Sequence, residues 1–232
     1  MFASIASRYD LLNRVLSLWL DAAWRRRAVE ELRLRPGELV LDLCCGTGDL
    51  AHQILRGGGR VVASDFCHEM LRVIPAKAPL ARRVEADALC LPFADGQFDA
   101  LTIGFGLRNL SDPVAGLHEM RRVLRPGGRL VILEFSLPPG RMFRGLYHLY
   151  LGRILPLAGD ILSRRRGPYR YLAKSILAFP DQPTLAGYLR AAGFQQARWI
   201  DLSRGIVALH LGTRGAEGGI PSRILPAPQA LP

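Results

Sequence analysis

The stretch LVLDLCCGTGDL, Leu39–Leu50, decides the fold. Its apolar start reads as a buried strand that ends on Asp42, and Gly46-Thr47-Gly48 then turns straight into the helical spacing of DLAHQILR. Glycines let a backbone approach a ligand with no Cβ in the way. The next strand, RVVASD, ends on Asp65, 17 residues beyond Gly48. A carboxylate at the end of a second strand can accept both hydroxyls of a ribose. The same acid also reads as the N-cap of a helix over HEMLRVI.

Outward from this stretch the order repeats. RRVEAD, FDALTIGF and GRLVILEFS read as strands, and PVAGLHEMRRVL reads as an amphipathic helix ended by RPGG. Strands alternating with helices predict an α/β protein whose parallel sheet is covered on both faces. PTLAGYLRAAGF follows as a helix with Gly193 past its end. ARWIDL and IVALHLGT close the chain as strands, and the short SRG between them predicts an antiparallel pair. Residues 1–35 alternate aliphatic and basic positions at near-helical spacing, predicting helices ahead of the sheet. Residues 137–180 mix aromatics, arginines, glycines and prolines over a length too great for a plain connection, predicting a helical insertion. One domain thus runs over 1–214, and the Gly- and Pro-rich 215–232 reads as a disordered tail.

The chain has 232 residues, 31 Lys and Arg against 20 Asp and Glu, and a net charge of +11. Such an excess suits an anionic partner, or simply a solvated arginine-rich surface. Cys44, Cys45, Cys67 and Cys90 have neither zinc spacing nor the look of a disulfide framework, so no metal site is expected and the thiols read as reduced and cytoplasmic. MFASIASRYD lacks the basic and apolar regions of a secretory signal, and no apolar run approaches the ~18 residues that span a bilayer.

Two features favour S-adenosylmethionine over a dinucleotide. The third glycine of G-x-G-x-x-G is Ala51 here. Asp42 stands just before the turn, where a carboxylate suits a cationic amino acid better than a pyrophosphate. Asp87, in VEADALCLPF, lies where the third strand gives way to a loop, and reads either as an acceptor for an adenine amino group or as a turn acid. The run GFGLRNLSD, Gly104–Asp112, then leaves a buried strand and presents Arg108 and Asn109 at once. Arg108 either faces something chemical or braces its loop against a carboxylate such as Asp112.

LDLCCGTGDLA, ADALCLPFADGQFDALTIGFGLRNLSD and RVLRPGGRLVILEFS together resemble the ubiquinone/menaquinone biosynthesis C-methyltransferases, a class I S-adenosylmethionine-dependent family. SRYDLLNRVLS, PYRYLAKSI, FPDQPTLAGYL and GIVALHLG match it too, so the likeness spans residues 2–214. It implies a Rossmann-like, mostly parallel sheet of seven strands with the last antiparallel. It also implies methylation of a ring carbon of a lipophilic polyprenyl quinol, above all demethylmenaquinol to menaquinol. Methylation of a 2-methoxy-6-polyprenyl-1,4-benzoquinol is the alternative, and RNA methylation a weaker one, since no RNA-recognition motif appears and no nucleic acid is expected. Cofactor positions fall on the loop Gly46, Thr47 and Gly48, on Asp65, on Asp87 with Ala88, and on Gly104, where relatives often carry serine. Cys44 takes the place of the family's first loop glycine.

The chemistry asks for a cation beside a phenolic oxygen, since ionising that oxygen pushes charge onto the ring carbons. Arg108 fits that role, and Asn109 the second oxygen. Tyr9, Asp10 and His148 are the expected proton acceptors. A substrate with an isoprenoid tail implies peripheral contact with the inner face of the cytoplasmic membrane, and the arginine-rich 137–180 region suits it, as it also suits a lid with a charged outer face. A homodimer is compatible with this reading.

Overall fold

The computed structural model describes residues 17, 19–155 and 168–216. Tyr9, Asp10, Arg164–Arg166 and residues 217–232 of the expected tail lie outside them.

Seven strands form one sheet in the order β3-β2-β1-β4-β5-β7-β6. They are β1 (Leu39–Leu43), β2 (Arg60–Asp65), β3 (Arg82–Glu85), β4 (Phe98–Gly104), β5 (Leu124–Phe135), β6 (Phe194–Leu202) and β7 (Val207–Arg214). β1 is an inner strand, parallel to β2 on one side and β4 on the other, with Leu41 level with both Val62 and Leu101. β7 runs antiparallel to β5 and to β6. The hairpin joining β6 to β7 is tight because Ser203, Arg204 and Gly205 are all left-handed, at φ 48°, 60° and 87°.

The sheet has a hydrophobic layer on each face, as the period of two requires. Val40, Ala63, Val131 and Leu209 pack with Trp24, Ala28, Leu50 and Ile54 from α1 (Leu20–Leu32) and α2 (Asp49–Arg56). Leu41, Leu43, Leu101 and Ile132 pack on the other side with Leu117 and Met120 of α4 (Pro113–Val123). The short α3 (His68–Val73) leads into β3.

Several ends differ from the sequence reading, among them β6, which begins at Phe194 rather than Ala197. The third strand stops at Glu85, because Asp87 is drawn into a turn that bridges to Cys90. The fifth begins at Leu124, which pairs with Phe98, so RPGG belongs to an irregular strand start.

The 137–180 region holds α5 (Arg141–Leu149), a π-helical continuation Tyr150–Ile154, and α6 (Pro168–Ala178). Tyr147, Leu151 and Leu155 recur on one face and meet Tyr169, Ala173 and Ile176 of α6 in a small core of their own, with Phe135 and Ile206 against it. α7 (Gln182–Ala191) begins with Asp181 capping the Thr184 amide at 3.1 Å, and Gly193 follows at φ 87°.

Chain direction reverses between β1 and β4: the crossovers to β2 and β3 lie on one side of β1, and the chain then returns to its other side. In such sheets the crevice between the two carboxyl ends is left open by the loops that diverge from it. The loops concerned are Cys44–Gly48 and Phe105–Asn109.

Candidate active site

The floor of the crevice is the glycine loop. Cys44, Gly46 and Gly48 are left-handed at φ 51°, 53° and 86°. No atom lies within 4 Å of where a Gly46 Cβ would be, so a ligand can approach the backbone there. Gly48 is the tight position, with Ile74 Cγ2 3.2 Å from its virtual Cβ. Cys44 tolerates its conformation because Gly106 faces it, and a Cβ on Gly106 would come within 2.5 Å of the Cys44 Cβ. Burial raises the Cys44 and Cys45 thiols, with nearby carboxylates adding to the effect, so both stay protonated.

Asp65 closes β2 over this loop. Its Oδ2 accepts from the Gly46 amide at 2.8 Å and its Oδ1 from the Cys67 amide at 2.9 Å. Burial raises its carboxyl, opposed by those amides. Asp65 thus ties the loop to the start of α3, whose N-cap residue is Cys67. Asp42 lies beneath the loop, fully enclosed. Its Oδ1 accepts from Thr102 Oγ1 at 2.9 Å, and burial raises the carboxyl to about 7. Its Oδ2 is buried with no hydrogen-bond partner among the described residues. A buried acceptor left open is costly and calls for a donor or a cation.

Thr47 is buried, and its hydroxyl accepts from Lys77 Nζ at 2.9 Å. Lys77 also pairs with Asp49 at 2.7 Å, so it clamps the loop to the first turn of α2. Sequence reasoning missed Lys77; its one signal was being one of two lysines in a chain whose cations are nearly all arginine. Asp87 is exposed, with Oδ1 accepting from the Leu89 amide at 2.9 Å, while Ala88 is buried against the α4 side of the sheet. Gly104 ends β4 with Leu50 Cδ1 2.6 Å from its virtual Cβ, so Leu50 fills the space a side chain would take.

The wall is the Phe105–Asn109 loop. Arg108 does not pair with Asp112, which instead caps α4 by accepting from the Val114 and Ala115 amides. Its partner is Glu134 on β5, at 2.7 Å, with the two side chains 7% and 1% exposed. Arg108 Nη1 also donates to the Phe105 carbonyl at 2.5 Å, and the guanidinium lies 5.2 Å from the Phe135 ring centroid. Arg108 Nε is buried without a partner. Asn109 Nδ2 donates to the Phe105 carbonyl at 3.2 Å, and its Oδ1 accepts from Tyr171 of α6 at 3.0 Å.

α1 covers the opposite side. Trp24 lies 6.3 Å from Phe105, centroid to centroid, and its indole N–H donates to Ser203 Oγ at 2.9 Å. Arg25 stands 5.6 Å over the same Phe105 ring and reaches Asp21 at 2.5 Å. His148 is on the exposed face of α5. The residue that turns inward is its neighbour Tyr147, 7% exposed, whose phenol is raised by burial and lowered in turn by Arg108. No cluster of three His, Cys, Asp or Glu suited to a metal occurs among the described residues.

Residues 1–214 match the model of the ubiE/COQ5 methyltransferase family. The demethylmenaquinone methyltransferase of Mycolicibacterium vanbaalenii is 49% identical over 214 residues, 92% of this chain and 93% of that one. That of Thermus thermophilus is 47% identical over 220 residues, 92% of this chain and all of that one. Among solved structures, an S-adenosylmethionine-dependent methyltransferase from Aquifex aeolicus superposes with a TM-score of 0.59 at 18% identity, covering 82% of this chain and 89% of that one. Another from Methanosarcina mazei gives 0.56 at 21%, covering 79% and 95%. The fold is that of the class I methyltransferases, with the last strand antiparallel.

Proposed function

We infer the reaction from the premise that the chain belongs to the ubiE/COQ5 methyltransferase family. It is an S-adenosylmethionine-dependent C-methyltransferase that converts demethylmenaquinol to menaquinol. The observation that carries this is identity of 47–49% to demethylmenaquinone methyltransferases over 92% of the chain.

When bound, S-adenosylmethionine supplies an electrophilic methyl group on a sulfonium. Asp65 would hold the ribose hydroxyls, and the Gly46–Gly48 backbone with Thr47 the amino-acid portion. Asp42 lies beneath, with one buried acceptor open. Asp87 and Ala88 would meet the adenine, and Gly104 would let Leu50 pack at the rim. Two carboxylates and an unobstructed Gly46 fit a cationic ligand without phosphate.

Arg108 holds the ring oxygen of the quinol. Two facts support this: its Nη1 is taken by Phe105 and Glu134, and its buried Nε has no partner among the described residues. A cation at that oxygen favours the phenolate, which makes the neighbouring carbon nucleophilic. Asn109 and Tyr171 serve the second oxygen. Trp24, Phe105 and Phe135 exclude water from the reacting carbon. With His148 on an exposed face, proton removal falls to Tyr9 or Asp10. Y9F and D10N separate them: the acting group loses turnover on the order of 100-fold with cofactor affinity kept.

No helix among the described residues is long and apolar enough to cross a membrane. α5 and its continuation nonetheless leave Met142 83% and Leu146 59% exposed, with Leu149 and Ile154 beside them and Arg141 and Arg153 on the same stretch. Apolar side chains among arginines suit an anionic bilayer surface, where the tailed substrate resides. Flotation with anionic liposomes tests this contact: M142S/L146S loses membrane binding, and unchanged binding refutes it. Sedimentation of the free chain reads whether it is a homodimer.

The reaction itself is tested by anaerobic incubation with methyl-labelled S-adenosylmethionine and demethylmenaquinol, with the matched benzoquinol and bulk RNA alongside. Label enters the naphthoquinol. Label in RNA alone overturns the reading.

A further inference from the structure

Glu134 follows the buried, apolar run Leu130–Leu133 within LVILEFS. A carboxylate 1% exposed has to be compensated. It accepts from three donors: Arg108 Nη1 at 2.7 Å, the Arg108 amide at 3.3 Å and the Phe135 amide at 2.9 Å. The two contacts to Arg108 fix both the backbone and the tip of that residue, and the Phe135 ring backs the guanidinium plane at 5.2 Å. With Nη1 also donating to the Phe105 carbonyl, both of its protons are spent. Nε and Nη2 form the guanidinium's other fork, the side-on edge that can grip one oxygen with two donors. Nε is buried and unpartnered, and Nη2 has no hydrogen bond among the described residues and is not sealed in as Nε is. One edge of Arg108 is therefore fully engaged while the other is held ready for an acceptor.

We propose that Glu134 is a positioning residue: by occupying Nη1 it aims the Nε/Nη2 fork of Arg108 at the phenolic oxygen of the acceptor ring. The proposal rests on the reading of Arg108 given above and extends it to the group that acts through it. Glu134 also cancels the guanidinium charge while the ring oxygen is protonated. It thereby sets the pH at which the ring ionises, as well as the direction from which it is gripped.

Reach and charge can be separated by two variants. E134Q keeps the reach and removes the charge. The uncompensated cation then favours the phenolate of the bound ring, so the acid limb of the kcat profile moves down by about one pH unit. E134D keeps the charge but is one methylene short, so the limb stays put while kcat falls on the order of 10-fold. Affinity for 1,4-naphthohydroquinone without cofactor, measured by anaerobic calorimetry, falls about fivefold in E134D. A residue that only stabilises the fold would lower the melting temperature and move neither the limb nor this affinity. An E134Q profile superimposable on the parent's, with E134D turnover within twofold, overturns the proposal. Should E134Q not fold, R108Q/E134Q leaves no buried charge unpaired. Its turnover should be no lower than that of R108Q alone, and a further loss also overturns the proposal. If R108Q itself turns over normally, the reading of Arg108 fails, whatever Glu134 does.

Discussion

Cys44 and Gly106, at the ends of adjacent strands, are shaped for each other: a Cβ on Gly106 would sit 2.5 Å from the Cys44 Cβ and 3.0 Å from its sulfur. The left-handed Cys44 occupies room that only a glycine opposite can leave.

This contact predicts a coupling. G106A alone overpacks the turn and costs about 2 kcal/mol. In a C44G background only Ile103 Cγ1, at 3.2 Å, still crowds that position, and the same change costs about 1 kcal/mol less. Urea titrations of the four chains read the cycle. Additive costs would show that the two turns do not press on each other.

Two buried groups set opposing pH dependences. His210 on β7 is 2% exposed, and burial lowers it to about 4 from the usual 6.5. Its unfolded form takes up a proton first, so its contribution is complete above about 6.5 and is lost as pH falls toward 4, up to about 3 kcal/mol. Asp42 is raised to about 7 from 3.8, so its contribution is complete below about 3.8 and is lost as pH rises toward 7. Between pH 4 and 6.5 the two oppose. H210L therefore makes stability fall more steeply with rising pH than in the parent, and D42N makes it rise more steeply. Chemical denaturation at several pH values measures both slopes. Parallel curves for all three chains would contradict the assignment.

Lys77 clamps the loop through Thr47 and Asp49. K77M should weaken S-adenosylmethionine about tenfold, as charge-assisted bonds of this kind suggest. Calorimetry on the free chain is the check, and unchanged affinity would make Lys77 a brace for α2 alone.

Trp24 joins α1 to the far hairpin through Ser203 and packs on Phe105. W24F loses the indole bond, at a cost of about 1 kcal/mol. W24A also leaves a cavity and costs about 4 kcal/mol. Thermal melts that rank the two alike would show that the indole bond dominates.

The sheet was legible because its cues are local. LVLDL, RVVASD and FDALTIG carry their own burial pattern, and the hairpin announces itself in SRG. The glycine loop was legible for the same reason. Arg108 was visible as a charge leaving a core strand, but its partner was not, since Glu134 is 26 residues away across a strand pair. The lone acid in LVILEFS was nevertheless a signal that something must answer it. His148 falls on the exposed side of its helix, and counting back in fours from Leu155 and Leu151 arrives instead at Tyr147, which the structure turns inward. Lys77 and Trp24 act across folded distances that no window along the chain spans.

The sheet order β5-β7-β6 constrains how the chain is made. β6 leaves the ribosome before β7, yet β7 takes the inner place, so β6 has no strand to pair with until translation has passed Arg214. Ser203, the latch for Trp24, lies in the turn between them. A nascent chain can therefore build its cofactor half early, while its first described helix waits for the β6–β7 hairpin to be made before it is latched.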